Sequence, residues 1–351
     1  MCCAKWSKSR SLRTPRKPPP AAVRPLDVSR LKTYPLNTRR SKVGIADGAV
    51  PWTAGRSLSA FLSALPATLA VTTLRCLARD VAAARQRGRP VILGMGAHPT
   101  KVGLNPVIVD LMKREIVTAV AVNGAGVVHD FELAFMGHTS EDVEAEIDSG
   151  RFGMAEETGR MVNEAIMDGM QQGIGIGEAV GHYILRRRAR FPHWKTSFLA
   201  TGAQRGIPVT VHVAVGTDIV HMHPSADGAA LGAGSLLDFR KLAAVVSTME
   251  RGVYINLGSA VLLPEVFLKA VTMSRNLGKP LKHITTANMD FLPHYRPLTN
   301  VVKRPTQKGG RGYSLTGHHE IMLPLLAAAI IEELDGRPGR RTKPSRPRGA
   351  A

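Results

Sequence analysis

The sequence predicts an α/β protein on a doubly wound, mostly parallel sheet with helices on both faces, Rossmann-like in outline. Three observations predict it. Short apolar runs rich in β-branched residues recur along the chain, each too short for a helix. Stretches of about 10–15 residues with helical periodicity separate them. Several runs end in glycine just before a helix, at Gly94, Gly96, Gly124, Gly126, Gly216 and Gly258. Such alternation implies parallel strands, because a parallel neighbour is reached only through a crossover.

In chain order, residues 57–88 read as two helices broken near Pro66. Gly88 and Pro90 lead into a buried strand over 91–94. Asn105 then caps a helix with Pro106 at its first position. VTAVAVNGAG (117–126) reads as a second strand and a glycine turn, and DFELAFMG (130–137) opens the next helix. Residues 151–190 are helical and punctuated by glycine. A strand over 207–216, a glycine-rich turn over 225–235 and a helix over 236–250 follow. Then come a strand (252–259), a helix (264–276), a strand (282–290), a Pro-rich loop and a last helix over 320–334. One domain over 44–336 accommodates all of this.

The net charge of +20 sits at the ends. Residues 1–43 hold twelve Lys or Arg and one acid, Asp27, a net of +11; residues 337–351 hold six Lys or Arg and no acid. The body is left at about +3, so nucleic-acid contact is expected from the tails if from anywhere. Both tails are Pro-rich and nearly free of aromatics, a composition that reads as disordered. Cys2, Cys3 and Cys76 make no disulfide framework. The longest clean apolar stretch, 321–331, contains Pro324 and is too short to span a bilayer. With no apolar leader after the N-terminal charges, a cytoplasmic protein is expected.

In folds of this class ligands bind beyond the carboxyl ends of the strands. GMGAHPTKVG (94–103) lacks the G-x-G-x-x-G spacing, so the glycine turns mark a crevice without the dinucleotide fingerprint. Over residues 89–334 the segments PVILGMGAHPTKVGLNPVIVDLMKRE, VTAVAVNGAGVVHDFE, GIPVTVHVAVGTDIVHM, INLGSAVLLPEVFLKAVTMSRN and EIMLPLLAAAIIEE follow one another in the order of the deoxyhypusine synthase family, which the chain resembles. The resemblance implies NAD as cofactor, a homotetramer with sites between subunits, and a polyamine or related small amine as substrate. It also implies transfer of an aminoalkyl group, through a lysine imine, to an amine acceptor such as a protein lysine. The family's W-G-K lysine falls on Lys303, without the tryptophan. By the same resemblance Gly94, Gly96, His98, Asn123, Gly124, Ala125, Gly126, Asp218, His318 and His319 contact NAD. His129, Asp130, His221 and Glu265 fall on the substrate-contacting positions. Val301, Val302 and Pro305 flank Lys303 and suggest the desolvation that would keep its amine neutral.

Two other readings stand beside this one. Twelve histidines, several at strand ends, permit a metal-dependent hydrolase with His221, His223 and Asp218 as ligands. A member of the family that has lost catalysis and serves as an oligomeric binding protein is the third. The acids of HTSEDVEAEID read as a capped, solvated helix start, and Glu156 or Glu157 could hold an amine.

Overall fold

The computed structural model describes residues 23–336, and the described chain divides after Gly44 into a short N-terminal unit and a main unit. The basic segments 1–22 and 337–351 lie outside the described residues. Within the short unit a 3-10 turn, Leu36–Thr38, is formed.

The main unit opens with α1 (Leu58–Ala64), α2 (Leu69–Gln86), β1 (Val91–Met95), α3 (His98–Lys101) and α4 (Asn105–Lys113). Next come β2 (Ala119–Asn123), α5 (Gly124–Met136), α6 (Val143–Glu146), α7 (Glu156–Gln172), α8 (Ile176–Arg186), α9 (Phe198–Arg205) and β3 (Val209–His212). Then follow α10 (Gly228–Ser247), β4 (Val253–Leu257), α11 (Leu262–Asn276), β5 (Thr285–Asp290) and α12 (Tyr295–Pro297). A π-helical segment (Leu298–Lys303), β6 (Arg311–Thr316) and α13 (His319–Asp335) close it. Among the described residues no helix is long and apolar enough to cross a membrane.

The six strands are all parallel, in the order β3-β2-β1-β4-β5-β6. Strand order therefore reverses between β1 and β4, the arrangement of two Rossmann-type halves. Every residue of β1 and β4 is buried, which explains runs such as VILGM without polar alternation. Alternate side chains feed two cores. Val91, Leu93 and Met95 pack with α2, α4 and α13, whereas Ile92 meets Leu242 of α10 and Phe267 of α11 on the other face.

Several elements differ from expectation for local reasons. The strand expected over 207–216 stops at His212. The expected glycine turn at 225–235 is the start of α10, because Asp227 caps Ala230 and the small residues pack closely. α5 begins at Gly124 rather than 130, with the Asn123 side chain accepting from Gly126 N at 3.0 Å. Asn105 is the first residue of α4, not its cap. β6 was not foreseen. RGYSLT is mostly exposed and reads as loop, and it becomes a strand because the free edge of β5 templates it.

Asn105 is occupied elsewhere. Its side-chain amide donates to Asp130 Oδ1 at 2.7 Å, where Phe198 N also donates at 3.0 Å, while Ser197 Oγ donates to Oδ2 at 2.5 Å. Asp130 is completely buried and ties the start of α4, the middle of α5 and the start of α9 together. This corrects the expected substrate contact: the carboxylate is consumed inside the core. Asp238 of α10 does the same between α8 and β3, accepting from Gly177 N at 3.1 Å and Val211 N at 2.9 Å.

Burial outweighs the donors and pushes Asp130 from 3.8 up to about 7. Between those values the folded protein keeps a proton that the unfolded chain releases. The contribution is complete below about pH 4 and is lost as the pH rises to about 7, at roughly 1.4 kcal/mol per pH unit. Asp130→Asn removes the titrating group. In urea unfolding the stability difference between wild type and variant should therefore narrow from pH 4 to pH 7; a constant difference would refute the shift.

Candidate functional site

The reversal of strand order leaves a crevice at the carboxyl ends of β1 and β4, where the flanking helices diverge. Two glycines shape its floor. A Cβ on Gly96 would collide with Gly258 O, so the two turns meet backbone to backbone. Gly258 has φ +63°, in the left-handed region open to glycine, and a Cβ there would lie 2.6 Å from His319 Cε1.

His319, the first residue of α13, is fully buried in the space those glycines leave. Its Nδ1 lies 2.9 Å from Nδ1 of His98, the first residue of α3. On its far side Nε2 lies 3.6 Å from Asp290 Oδ1, at the end of β5. That is too long for a hydrogen bond but short enough for the carboxylate to orient the ring. Phe291 packs its ring near both imidazoles, with centroids 5.4 Å from His98 and 5.6 Å from His319, and the His318 ring is stacked parallel to it at 6.5 Å. The ends of β1, β4, β5 and β6 thus converge on one group.

Two imidazole nitrogens 2.9 Å apart need one proton between them. Asp290 favours the proton of His319 on Nε2, which leaves His319 Nδ1 to accept from His98 Nδ1. His98 Nε2 then carries the lone pair at the end of an Asp290–His319–His98 chain. Burial, the largest effect, lowers the pKa of His319, against the opposing pull of Asp290.

The second half of the crevice closes on itself. The Asp218 carboxylate occupies the first turn of α5: Ala125 N donates to it, and a Cβ on Gly124 would collide with Oδ2. With Asn123 on Gly126 N, the backbone donors expected to meet a nucleotide are already taken. His221 Nδ1 accepts from Gly216 N at 3.2 Å and Asp218 N at 3.3 Å. Its Nε2 is buried without a hydrogen-bond partner, 3.8 Å from Asp218 Oδ2. Burial raises the pKa of Asp218.

The remaining expected residues lie elsewhere. Gly94 is inside β1, where a Cβ would strike the Tyr254 hydroxyl, so it serves packing. His129 Nδ1 lies 2.7 Å from Thr139 Oγ1, which donates to Glu132, and burial with Lys101 pushes His129 down to about 4. Glu265 is engaged by Asn300 at 2.7 Å and by Lys269. His223 pairs with Glu156 at 3.2 Å and Ser225 at 2.7 Å, apart from the Asp218–His221 pair. Among the described residues no three His, Cys, Asp or Glu side chains form a group fit for a metal, so the hydrolase reading loses its ligands.

Lys303 requires a larger correction. It is exposed. Val301 O accepts from Thr286, the second residue of β5, and a Cβ on Gly312 would strike Val302 O. Lys303 therefore stands at the starts of β5 and β6, the opposite end of the sheet from the crevice. Asp290 and Phe291 were missed. The available signal was an acid closing an otherwise neutral buried strand.

No protein-family model matches the chain, and no curated protein does. Solved structures share its fold. AgrE in ternary complex with ornithine and NAD+ superposes with a TM-score of 0.50 at 12% identity, over 76% of this chain and 34% of that one. A conserved LOR/SDH protein from Methanococcus maripaludis S2 gives 0.48 at 14% identity, over 76% and 70%. A deoxyhypusine synthase from Entamoeba histolytica gives 0.42 at 10%, over 80% and 95%. The chain thus spans about a third of AgrE, and at these identities the likeness is one of α/β, Rossmann-like fold.

Long-range 1H–15N spectra should show the neutral form of His319 protonated on Nε2 and the ring titrating below the ordinary 6.5. Asp290→Asn should weaken that tautomer preference. A proton on Nδ1 of His319 in the wild type would reverse the direction of the chain.

Proposed function

We propose that this protein is an NAD-dependent enzyme that oxidises the carbon bearing an amine, with His98 as proton acceptor. The observation that supports it is the Asp290–His319–His98 chain at the point where strand order reverses. The buried Thr100 Oγ1 has no hydrogen-bond partner, and α3 begins without a side-chain cap. These features fit a polar ligand at the β1 turn better than at the self-capped α5. Gly96, Ala97 and His98 on one wall and Gly258, Ser259 and His318 on the other would hold the dinucleotide.

When bound, NAD supplies a hydride acceptor. The protein's part is to hold the amine, take its proton and keep water away. Asp218 gives a bound ammonium a carboxylate partner. His98 Nε2 takes the ammonium proton, so that the nitrogen lone pair can form the C=N bond as hydride leaves the carbon. Positive charge then spreads toward His319, and Asp290 stabilises it. Phe291 covers both rings. The pairing of ornithine and NAD+ in AgrE supports an amino-acid-like or diamine substrate. A homo-oligomer belongs to this reading. Transfer through an imine on Lys303 does not, because that lysine stands at the other end of the sheet.

Calorimetry should detect NAD binding, and NADH formation should report turnover when amines are screened. His98→Ala and His319→Asn should lower kcat about 100-fold or more while leaving NAD affinity within a few-fold. Lys303→Ala should keep full activity. No NAD affinity at millimolar concentration, or a dead Lys303→Ala protein, would overturn the reading.

A further inference from the structure

The starting edge of the sheet has the opposite character from the crevice. Arg87 and Arg89 precede β1, Arg205 precedes β3, Arg251 precedes β4, Lys282 precedes β5, and Arg311 opens β6; all six are exposed. Among the described residues the first five have no carboxylate within 4 Å, and Arg311 pairs with Asp80 at 2.6 Å. The acids of this edge are engaged: Asp80 by Arg311, Glu115 by Arg85 at 2.7 Å, and Glu250 by the backbone N–H groups of Lys282 and His283.

The geometry is that of a row. Neighbouring strands lie about 4.8 Å apart, so the six strands span roughly 24 Å, and cations stand at the starts of five of them, including both outer ones. A nucleic-acid duplex presents one charge for about every 1.7 Å of its axis, both strands counted, so the row runs alongside a length of duplex that carries about 14 phosphates. Concavities interrupt it. Arg87, Arg251, Arg311 and His283 line a cavity of about 230 Å³ together with Asp80, the partner of Arg311, and Arg85, Gln204 and Arg205 line another of about 650 Å³ together with Glu115, the partner of Arg85. Arg251 is held there at φ +63°, in the left-handed region that non-glycine residues seldom adopt.

We propose that this edge binds the phosphate backbone of a nucleic acid, without regard to sequence, with Arg87, Arg251 and Arg311 around one phosphate. Arginine's planar fork matches phosphate in two-point contact, and five of the six cations are arginine. A membrane-surface site pairs basic residues with an apolar face that enters the bilayer. Here the cations stand on loops that lead into strands, beside Gly88, Pro90 and Gly206. The site is separate from the crevice, so it is independent of the proposed oxidation.

Fluorescence anisotropy of the full chain with a labelled duplex of about 25 base pairs tests it across a range of KCl concentrations. The logarithm of affinity should fall linearly with the logarithm of salt. The Arg87→Glu/Arg251→Glu protein should bind about tenfold or more weakly, with the salt slope reduced by about 2. Arg186→Glu/Arg190→Glu makes the same charge change at the last residue of α8 and in the turn just after it, and should cost less than about threefold. Melting temperatures of both variants verify that they fold. Equal losses in the two variants would assign the affinity to net charge or the tails and overturn the proposal. So would absence of duplex binding, or binding of anionic lipid vesicles in its place.

Discussion

Two glycines, Gly96 and Gly258, let the carboxyl ends of β1 and β4 meet with no side chain between them. The candidate site depends on that contact. A side chain at Gly96 would push the turns apart, and one at Gly258 would need a left-handed conformation and would displace His319. Because both turns are bare, an imidazole from α13 can be buried where four strands end. There it touches His98 on one side and faces Asp290 on the other. The pairing joins residues 221 positions apart in the chain.

The same molecule shows how a buried carboxylate acquires a structural role. Asp130 and Asp238 hold helix starts by accepting the N–H groups that a helix's first turn leaves unpaired. Removing such an acceptor would strand several donors in an apolar core, which costs more than the bonds themselves contribute in net stability. Asp218 plays a related part at α5, but it lies beside the crevice and next to a histidine whose Nε2 lacks a partner.

Charge and chemistry are divided between the two edges of the sheet. The carboxyl edge gathers histidines, two carboxylates and an aromatic cover. The starting edge gathers arginines with few free acids. Parallel strands make this division possible: all strand ends lie on one side and all starts on the other, so each edge has its own set of loops.

The amino-acid sequence by itself determined the fold class and most of the sheet, because buried parallel strands need continuous apolar runs such as VILGM and VYINL, and helix starts need caps and small residues. It also placed glycine turns, His98, Asp218 and His319 at strand ends. Three things it left open. RGYSLT becomes β6 only because β5 offers an edge, and nothing in a polar hexapeptide announces a neighbour. Asp130 and Asp290 both sit beside apolar residues, yet one is consumed by Asn105 and Ser197 while the other faces His319. Lys303 has Val301 and Pro305 beside it in sequence, but in a helical segment those buried neighbours turn inward and the lysine turns out. Tertiary structure decided each case, because burial and partnership depend on which segments pack together, and sequence neighbours record only the local period of the backbone.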